Sequence, residues 1–407
     1  MHKITNIEAE EIKDSRMNPT IRVSVFSEDS KGSFDVPSGA STGEYEACEL
    51  RDEDGGKSGV NKAIEKIKGE IKDNLLDKDV TDQSNIDQIM LDLDGTPQKT
   101  KLGGNSMVGV SIAAAKTAAL TKNLKTYEYL RTLKKIKPTQ DKPFLFFNLI
   151  NGGKHTKTKL AFQEYHIVPQ TEDITESVKI CQEIEKELDN IIMAEFGENF
   201  PKGDEGGVAL PIEDVMEPLR LLQLAIDNLD YTEKILLSID AAASSFYNKE
   251  TKMYQFMGKD WSTDEMIDLY KDMSSKYKMI TIEDPLDEED FDGFAKLQAE
   301  IPEVKLVGDD LTVTNSQRLK KAIEKKSIKV ILIKPNQIGT LSETIKTISM
   351  ARENNIDCIV SHRSGETMDD FIADLVFAYG CLGLKSGAWG PKERNVKYER
   401  LIKITQD

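Results

Sequence analysis

Five polar residues follow directly on short apolar runs in the second half of this 407-residue chain. They are Asp240 after KILLSI, Glu283 after MITI, Asp309 after KLVG, Lys334 after VILI and His362 after CIVS. Three carboxylates brought to one rim carry too much negative charge to stay unpaired in a cleft. Binding of a hard cation resolves this, because Mg2+ prefers oxygen ligands and keeps water and substrate in its shell. The lack of nearby cysteines or clustered histidines argues against zinc or copper. Beside a divalent ion the Lys334 ammonium is repelled and its pKa lowered, which suits a base working near neutrality. A proton next to a carboxylate is only weakly acidic, so its removal needs positive charge to hold the resulting ene-diolate. Taken singly, each residue has an ordinary reading: a strand-end lysine snorkels to water, and an aspartate after a strand caps the next helix. Five such residues in series weaken that reading.

Two further carboxylates precede the series, Glu164 in AFQEYHIV and Glu205 in the Gly-rich turn KGDEGG. If they share a cleft, neighbouring carboxylates resist double ionisation and one can keep a proton for a leaving hydroxyl. Alone, either is a turn or surface residue. HRSGET (362–367) offers Arg363 and Ser364 ahead of a helix, and PSGASTGEYE (37–46) is a Ser/Gly/Thr loop with available amides, both suited to phosphate. Neither matches GxxxxGK[ST], so no nucleotide P-loop is indicated.

The elements that must carry these residues follow from periodicity. Strand ends at 240, 283, 309, 334 and 362 lie 43, 26, 25 and 28 residues apart, so the later units repeat at one strand plus one helix each, the pattern of a (β/α) barrel or another parallel α/β sheet. In a barrel the C-terminal strand ends form one face, so the five residues converge there. ITESVKICQEIEKELDNIIMAEF places Ile174, Val178, Cys181, Ile184, Leu188 and Ile191 at helical spacing. Ser262 with Glu265 and Thr340 with Glu343 fit the capping box. Before this region, TIRVSVFSED alternates as a half-buried strand, with Ile21, Val23 and Val25 on one face, and residues 103–124 form an Ala-rich buried helix. An N-terminal α+β domain, 1–130, is therefore expected ahead of a barrel domain, 131–407.

Composition bounds the partners. With 71 acidic against 54 basic residues the formal charge is −17, which disfavours nucleic acid as the main partner. Cys48, Cys181, Cys358 and Cys381 are scattered, without a CxxC pair, so a reducing, cytoplasmic setting is the expectation. The first residues lack the apolar core of a secretory signal, and no run is long enough to span a membrane.

Many stretches together resemble the enolase family, the phosphopyruvate hydratases of glycolysis. They include DSRMNPT, VPSGASTGEYEACELRD, NLINGGKH, QEYHIVP, GDEGG, SIDAAASSFY, IEDPLDEEDFDGF, GDDLTVTN, LIKPNQIGT, SHRSGET and LKSGAWGPKERNVKYERLIKI, in family order from residue 14 to residue 404. The resemblance implies an N-terminal α+β capping domain followed by an enolase-type (β/α)8 barrel of ββαα(βα)6 order. It implies reversible dehydration of 2-phospho-D-glycerate to phosphoenolpyruvate, with two Mg2+ per active site, the second recruited with substrate. Asp240, Glu283 and Asp309 match the ligands of the first ion, and Ser41 matches the serine that reaches the second. Lys334 matches the base at carbon 2, Glu205 the acid at the carbon-3 hydroxyl and Glu164 its partner. Lys385 matches the lysine near the substrate carboxylate, Arg363 and Ser364 match phosphate positions, and His155 and His362 match active-site histidines. A homodimer or a higher assembly of dimers is implied as well. Met17 stands where the family usually has glycine, Ser245 where it has glutamate and Pro335 where valine is commoner, the last a variant associated with archaeal enolases. Trp389 and Gly390 alter the segment after Lys385. Another acid-sugar dehydratase or racemase on the same barrel, and a non-catalytic binding protein, are the alternatives. The phosphate positions count against the first, and the complete set of catalytic residue types counts against the second.

Overall fold

The computed structural model describes residues 2–39, 45–53 and 59–406, and for residue 155 the backbone alone. Alternation along TIRVSVF buries Ile21, Val23 and Val25 completely. Their strand, β2 (Pro19–Phe26), lies between β1 (Asn6–Lys13) and β3 (Lys31–Asp35) in an antiparallel sheet. Asn6 faces Phe26 and Lys13 faces Pro19, so a five-residue link closes the first hairpin. Within that link Met17 adopts φ 62°, the left-handed conformation that accounts for the glycine usual there. The helix Gly104–Thr121 is apolar nearly all round and packs on this sheet. Gly32 permits the close approach, since a Cβ there would lie 2.4 Å from Thr117 N. Thr117 Oγ1 accepts the Gly32 N–H at 2.9 Å and so satisfies a backbone donor of β3.

The second unit is a closed eight-stranded barrel. Its strands are β4 (Phe144–Asn151), β5 (Glu164–Pro169), β6 (Ile235–Asp240), β10 (Met279–Glu283), β11 (Lys305–Gly308), β12 (Val330–Ile333), β13 (Asp357–Ser361) and β14 (Gly383–Lys385). A small sheet, β7 (Tyr247–Asn248), β8 (Met253–Phe256) and β9 (Lys259–Trp261), is inserted after β6. The barrel is not wholly parallel, because β5 runs against both β4 and β6. Two helices, Ile174–Phe196 and Glu217–Asn228, then precede β6, which gives the ββαα(βα)6 order. Reversal of β5 brings its first residue, Glu164, opposite Asp240 at the mouth formed by the other strands' C-terminal ends.

Phe146, Val168, Val307, Val330, Leu332, Ile359 and Leu382 form an apolar cluster separate from the main core, the packed filling expected inside a barrel. The 174–196 helix buries the six residues its spacing predicts, with Asp173 capping its start. Ser262 and Glu265 complete a capping box. Thr340 and Glu343 complete half of one: Thr340 Oγ1 accepts the Glu343 N–H at 3.2 Å, while the Glu343 carboxylate accepts from the Thr340 hydroxyl and from Lys99, each at 2.8 Å. That pair, with Asp87 accepting the Ser342 N–H at 2.9 Å, ties the N-terminal unit to the helix Leu341–Glu353 that follows Lys334. Among the described residues no helix is long and apolar enough to cross a membrane.

Candidate active site at the barrel mouth

Asp240 and Glu283 end β6 and β10 and pair across those strands, while Asp309, Lys334 and His362 each follow the last residue of a strand by one position. Lys385 ends β14. Pro335 begins a one-turn helix, Pro335–Ile338, at the position where a missing N–H costs nothing, so it both stops β12 and starts the next element. All these side chains, with Glu164, Glu205, Arg363 and Ser364, are largely withdrawn from solvent. Most of them line a cleft of about 260 Å³. A larger cavity of about 670 Å³ beside β8 and β9 shares only Lys154 and Ser245 with it and holds none of the paired carboxylates. Chemistry therefore favours the smaller one.

The lysines act as counter-ions. Lys385 Nζ lies 2.9 Å from both Glu283 oxygens, 3.2 Å from Asp240 Oδ2 and 3.3 Å from Glu164 Oε2. Lys334 Nζ pairs with Asp309 Oδ2, whose other oxygen accepts from Gln337 Nε2 at 2.9 Å. Arg363 makes a buried two-point ion pair with Glu46, 2.9 and 3.2 Å, and also donates to Asn336 at 3.2 Å. The Ser364 carbonyl accepts from Arg394 at 2.8 Å. On the opposite wall Glu164 Oε2 lies 2.8 Å from His166 Nε2, and Glu205 Oε2 accepts from Asn148 at 3.1 Å. His362 Nε2 lies 3.3 Å from Glu205 Oε1 but out of line for a well-directed hydrogen bond. The Ser41 position lies outside the described residues, and so does the His155 side chain.

Among the described lining residues eight carboxylates face five cations. Burial and the Asp240 charge push Glu283 well above the usual carboxylate range, and burial raises Asp240. Asp284 is driven well up by burial and Asp310, and Asp310 is raised to about 8 by burial and Asp309. Two carboxylates move the other way. Burial works to raise Asp309, but Lys334 outweighs it and holds Asp309 low. At Glu164, burial and Glu205 are overcome by Lys385 and His166, leaving it ionised with a pKa of about 2. Burial pulls Lys334 down, but the Asp309 carboxylate overrides that and raises it; the lowering expected from the sequence concerns a site holding a divalent ion.

The surplus of buried, mutually repelling oxygen ligands fits a hard divalent cation. Ligating atoms of Asp284, Asp309 and Asp310 lie within 4.8 Å of one another, as do those of Glu164, Glu205 and His362. Asp240 and Glu283 instead surround Lys385, so the three ligands expected from the sequence are divided between two ammonium groups. Asp284 also braces the strand end, accepting the Asp309 and Asp310 N–H groups at 3.0 and 2.7 Å. Sequence reasoning missed Asp284, Asp310 and His166. The acids sit in the doublets Glu283–Asp284 and Asp309–Asp310, and His166 is two residues beyond Glu164 on the same strand face, so each left a readable signal. Glu46, Gln337 and Arg394 left none.

The family model described as "Enolase, N-terminal domain" matches residues 4–130, and "Enolase, C-terminal TIM barrel domain" matches residues 140–407. A relative named Enolase from Methanococcus aeolicus is 44% identical over 409 residues, covering 99% of this chain and 95% of its own. One from Methanopyrus kandleri is 44% identical, covering 100% and 96%. One from Sulfurisphaera tokodaii is 43% identical with the same coverage, 100% and 96%.

Proposed function

The chain belongs to the enolase family, and on that premise we propose how the residues at the barrel mouth share the dehydration of 2-phospho-D-glycerate to phosphoenolpyruvate, the hydro-lyase step of glycolysis. The observation that carries the assignment is the opposition of two proton-handling groups across one cleft. Lys334 stands against Asp309 on one wall, Glu205 and ionised Glu164 stand on the other, and Lys385 lies with the carboxylates on the Glu164 side. A Lys base working with Mg2+ is the established chemistry of this superfamily and not a deduction from this site alone.

Lys334 takes the carbon-2 proton onto Nζ. Asp309, and to a smaller extent Glu283, keep that ammonium charged, whereas burial, Arg363 and Lys385 favour the neutral amine. Once Asp309 is engaged elsewhere, the remaining surroundings make Lys334 a base. Glu205 delivers a proton to the departing carbon-3 hydroxyl. Glu164, held ionised, makes Glu205 the member of the pair that retains a proton. Lys385 orients the substrate carboxylate, and Arg363 and Ser364 receive the phosphate, with His155 and His362 completing the site. Asp240, Glu283 and Asp309 would hold a first Mg2+, and Ser41 would serve a second one recruited with substrate. When bound, Mg2+ supplies positive charge to the carboxylate on which negative charge develops.

The same reading assigns residues 1–130 to the capping domain and 131–407 to the barrel domain, in a cytoplasmic homodimer or assembly of dimers without nucleic acid as a main partner. The test is ultraviolet absorbance of phosphoenolpyruvate formed from 2-phosphoglycerate, with Mg2+ and with chelator. Metal-dependent product is expected; its absence would sink the assignment.

A further inference from the structure

Arg394 is the bulkiest side chain withdrawn completely from solvent, with 0% exposure, and it lies on the C-terminal helix, Lys392–Gln406, not on the barrel. It binds both loops that carry the acid side of the site. Nη1 is 2.8 Å from His362 Nδ1 and donates to the Arg363 carbonyl at 2.6 Å; Nη2 donates to the carbonyls of Ser364 at 2.8 Å and Asp204 at 3.3 Å. Gly387 makes room at this junction, with φ +73° and a Cβ that would lie 2.7 Å from the Glu205 carbonyl and 3.3 Å from His362 Cε1.

We propose that Arg394 is a positioning residue that fixes the tautomer of His362 and so keeps its ring proton on Nε2, the nitrogen nearer Glu205. A guanidinium has only donors and stays charged at every accessible pH. His362 Nδ1 must therefore present its lone pair to Arg394, and the ring proton resides on Nε2, the nitrogen 3.3 Å from Glu205 Oε1. An imidazolium would set one N–H against another at 2.8 Å, so the ring cannot take a second proton while Arg394 keeps its place. Glu205 Oε2 accepts from Asn148 at 3.1 Å, and Oε1 lies 3.3 Å from the protonated His362 Nε2, off the line of a hydrogen bond. With Nε2 already protonated and Nδ1 facing Arg394, His362 cannot accept a proton from Glu205, and the proton for the leaving hydroxyl stays with Glu205. This rests on the role proposed for Glu205.

Ring 15N NMR of the full-length protein labelled at histidine tests it without turnover. The His362 signal is identified by its loss in His362→Asn. The expected result at neutral pH is the neutral Nε2–H form in the native chain and a tautomer mixture in Arg394→Met. Turnover in Arg394→Met should fall about 10- to 100-fold, the usual loss when a group orienting an active-site ligand is removed, with KM changed less than about threefold. An Nδ1–H or imidazolium signal in the native protein overturns the proposal, as does a folded Arg394→Met that keeps only the Nε2–H form. If that variant does not fold, the native spectrum alone decides. A wrong role for Glu205 would surface instead as Glu205→Gln retaining full turnover while the His362 tautomer stays as expected.

Discussion

Replacing Lys385 by methionine removes one ammonium from among three buried carboxylates while keeping an unbranched side chain of similar reach. Nζ lies 2.9 Å from Glu283, 3.2 Å from Asp240 and 3.3 Å from Glu164. At about 3 Å and an effective dielectric constant near 20, each attraction is worth roughly 5 kcal/mol before desolvation. Burying the ammonium and its partners offsets much of that, and breaking a buried pair from one side costs about 3–5 kcal/mol net. Asp240 and Glu283 already have raised pKa values, so protonation relieves the defect in acid. The loss should therefore be largest near pH 8 and smaller near about pH 5.5. Urea unfolding followed by circular dichroism, in chelator, measures it. Saturating Mg2+ should restore part of the loss, since a cation at 100 times its Kd adds about 2.7 kcal/mol. A loss below about 1 kcal/mol in chelator at pH 8 would refute the counter-ion reasoning, because the three carboxylates would then not need Lys385.

Lys334→Ala should slow deuterium exchange at carbon 2 by at least about 100-fold, the lower range for removing a general base, while Mg2+ still raises the melting temperature; normal exchange would remove Lys334 from the base role. In chelator, native stability should fall as pH rises between about 5 and 8, because Asp240, Glu283, Asp284 and Asp310 bind protons more tightly folded than unfolded. Each contributes below its unfolded pKa and loses that contribution as pH rises through its folded value, which for Asp310 is about 8. His362, whose pKa burial lowers, opposes this, while Glu49, Asp87, Asp287 and Asp370, also raised by burial, add to it. Urea midpoints across that range, flat or rising with pH, would contradict the sign. Met17→Gly should stabilise the chain by about 1 kcal/mol by relieving the left-handed backbone, since the Met17 side chain is 72% exposed and little packing is lost; an unchanged or lower urea midpoint would count against strain there.

Much of the site was legible because a barrel gathers one end of every strand, so a charged residue after VILI or MITI declares its position without knowledge of its neighbours. The reversed β5 was not legible in the repeat: an apolar run reads the same in either direction, and only the resemblance supplied the ββαα order. Glu164 was found as a residue type, yet its place opposite Asp240 depends on that reversal. Arg363 shows the other limit. Its suitability for phosphate is local, but its ion pair with Glu46 joins residues 317 positions apart, and no window of sequence contains both. Arg394 is further from view, since ERNVKYERL reads as an ordinary polar helix in which two basic residues, Arg394 and Lys397, turn out to be buried. Lys397 pairs with Glu366, and Glu366 accepts the Arg363 N–H at 3.1 Å, so the same helix braces the 362–367 loop from behind.

The raised pKa of Lys334 and its proposed work as a base are compatible because both depend on one carboxylate. Asp309 is the largest influence keeping the ammonium charged, and it is also the group shared by the expected ligand set and the Asp284–Asp309–Asp310 cluster. A cation drawn to Asp309 competes directly with Lys334 for the same oxygens. Lys385 stands in the same relation to Asp240 and Glu283. Each lysine thus satisfies carboxylates that a metal bound there would otherwise claim, and on the proposed reading such a metal would free each ammonium for substrate by Coulombic competition.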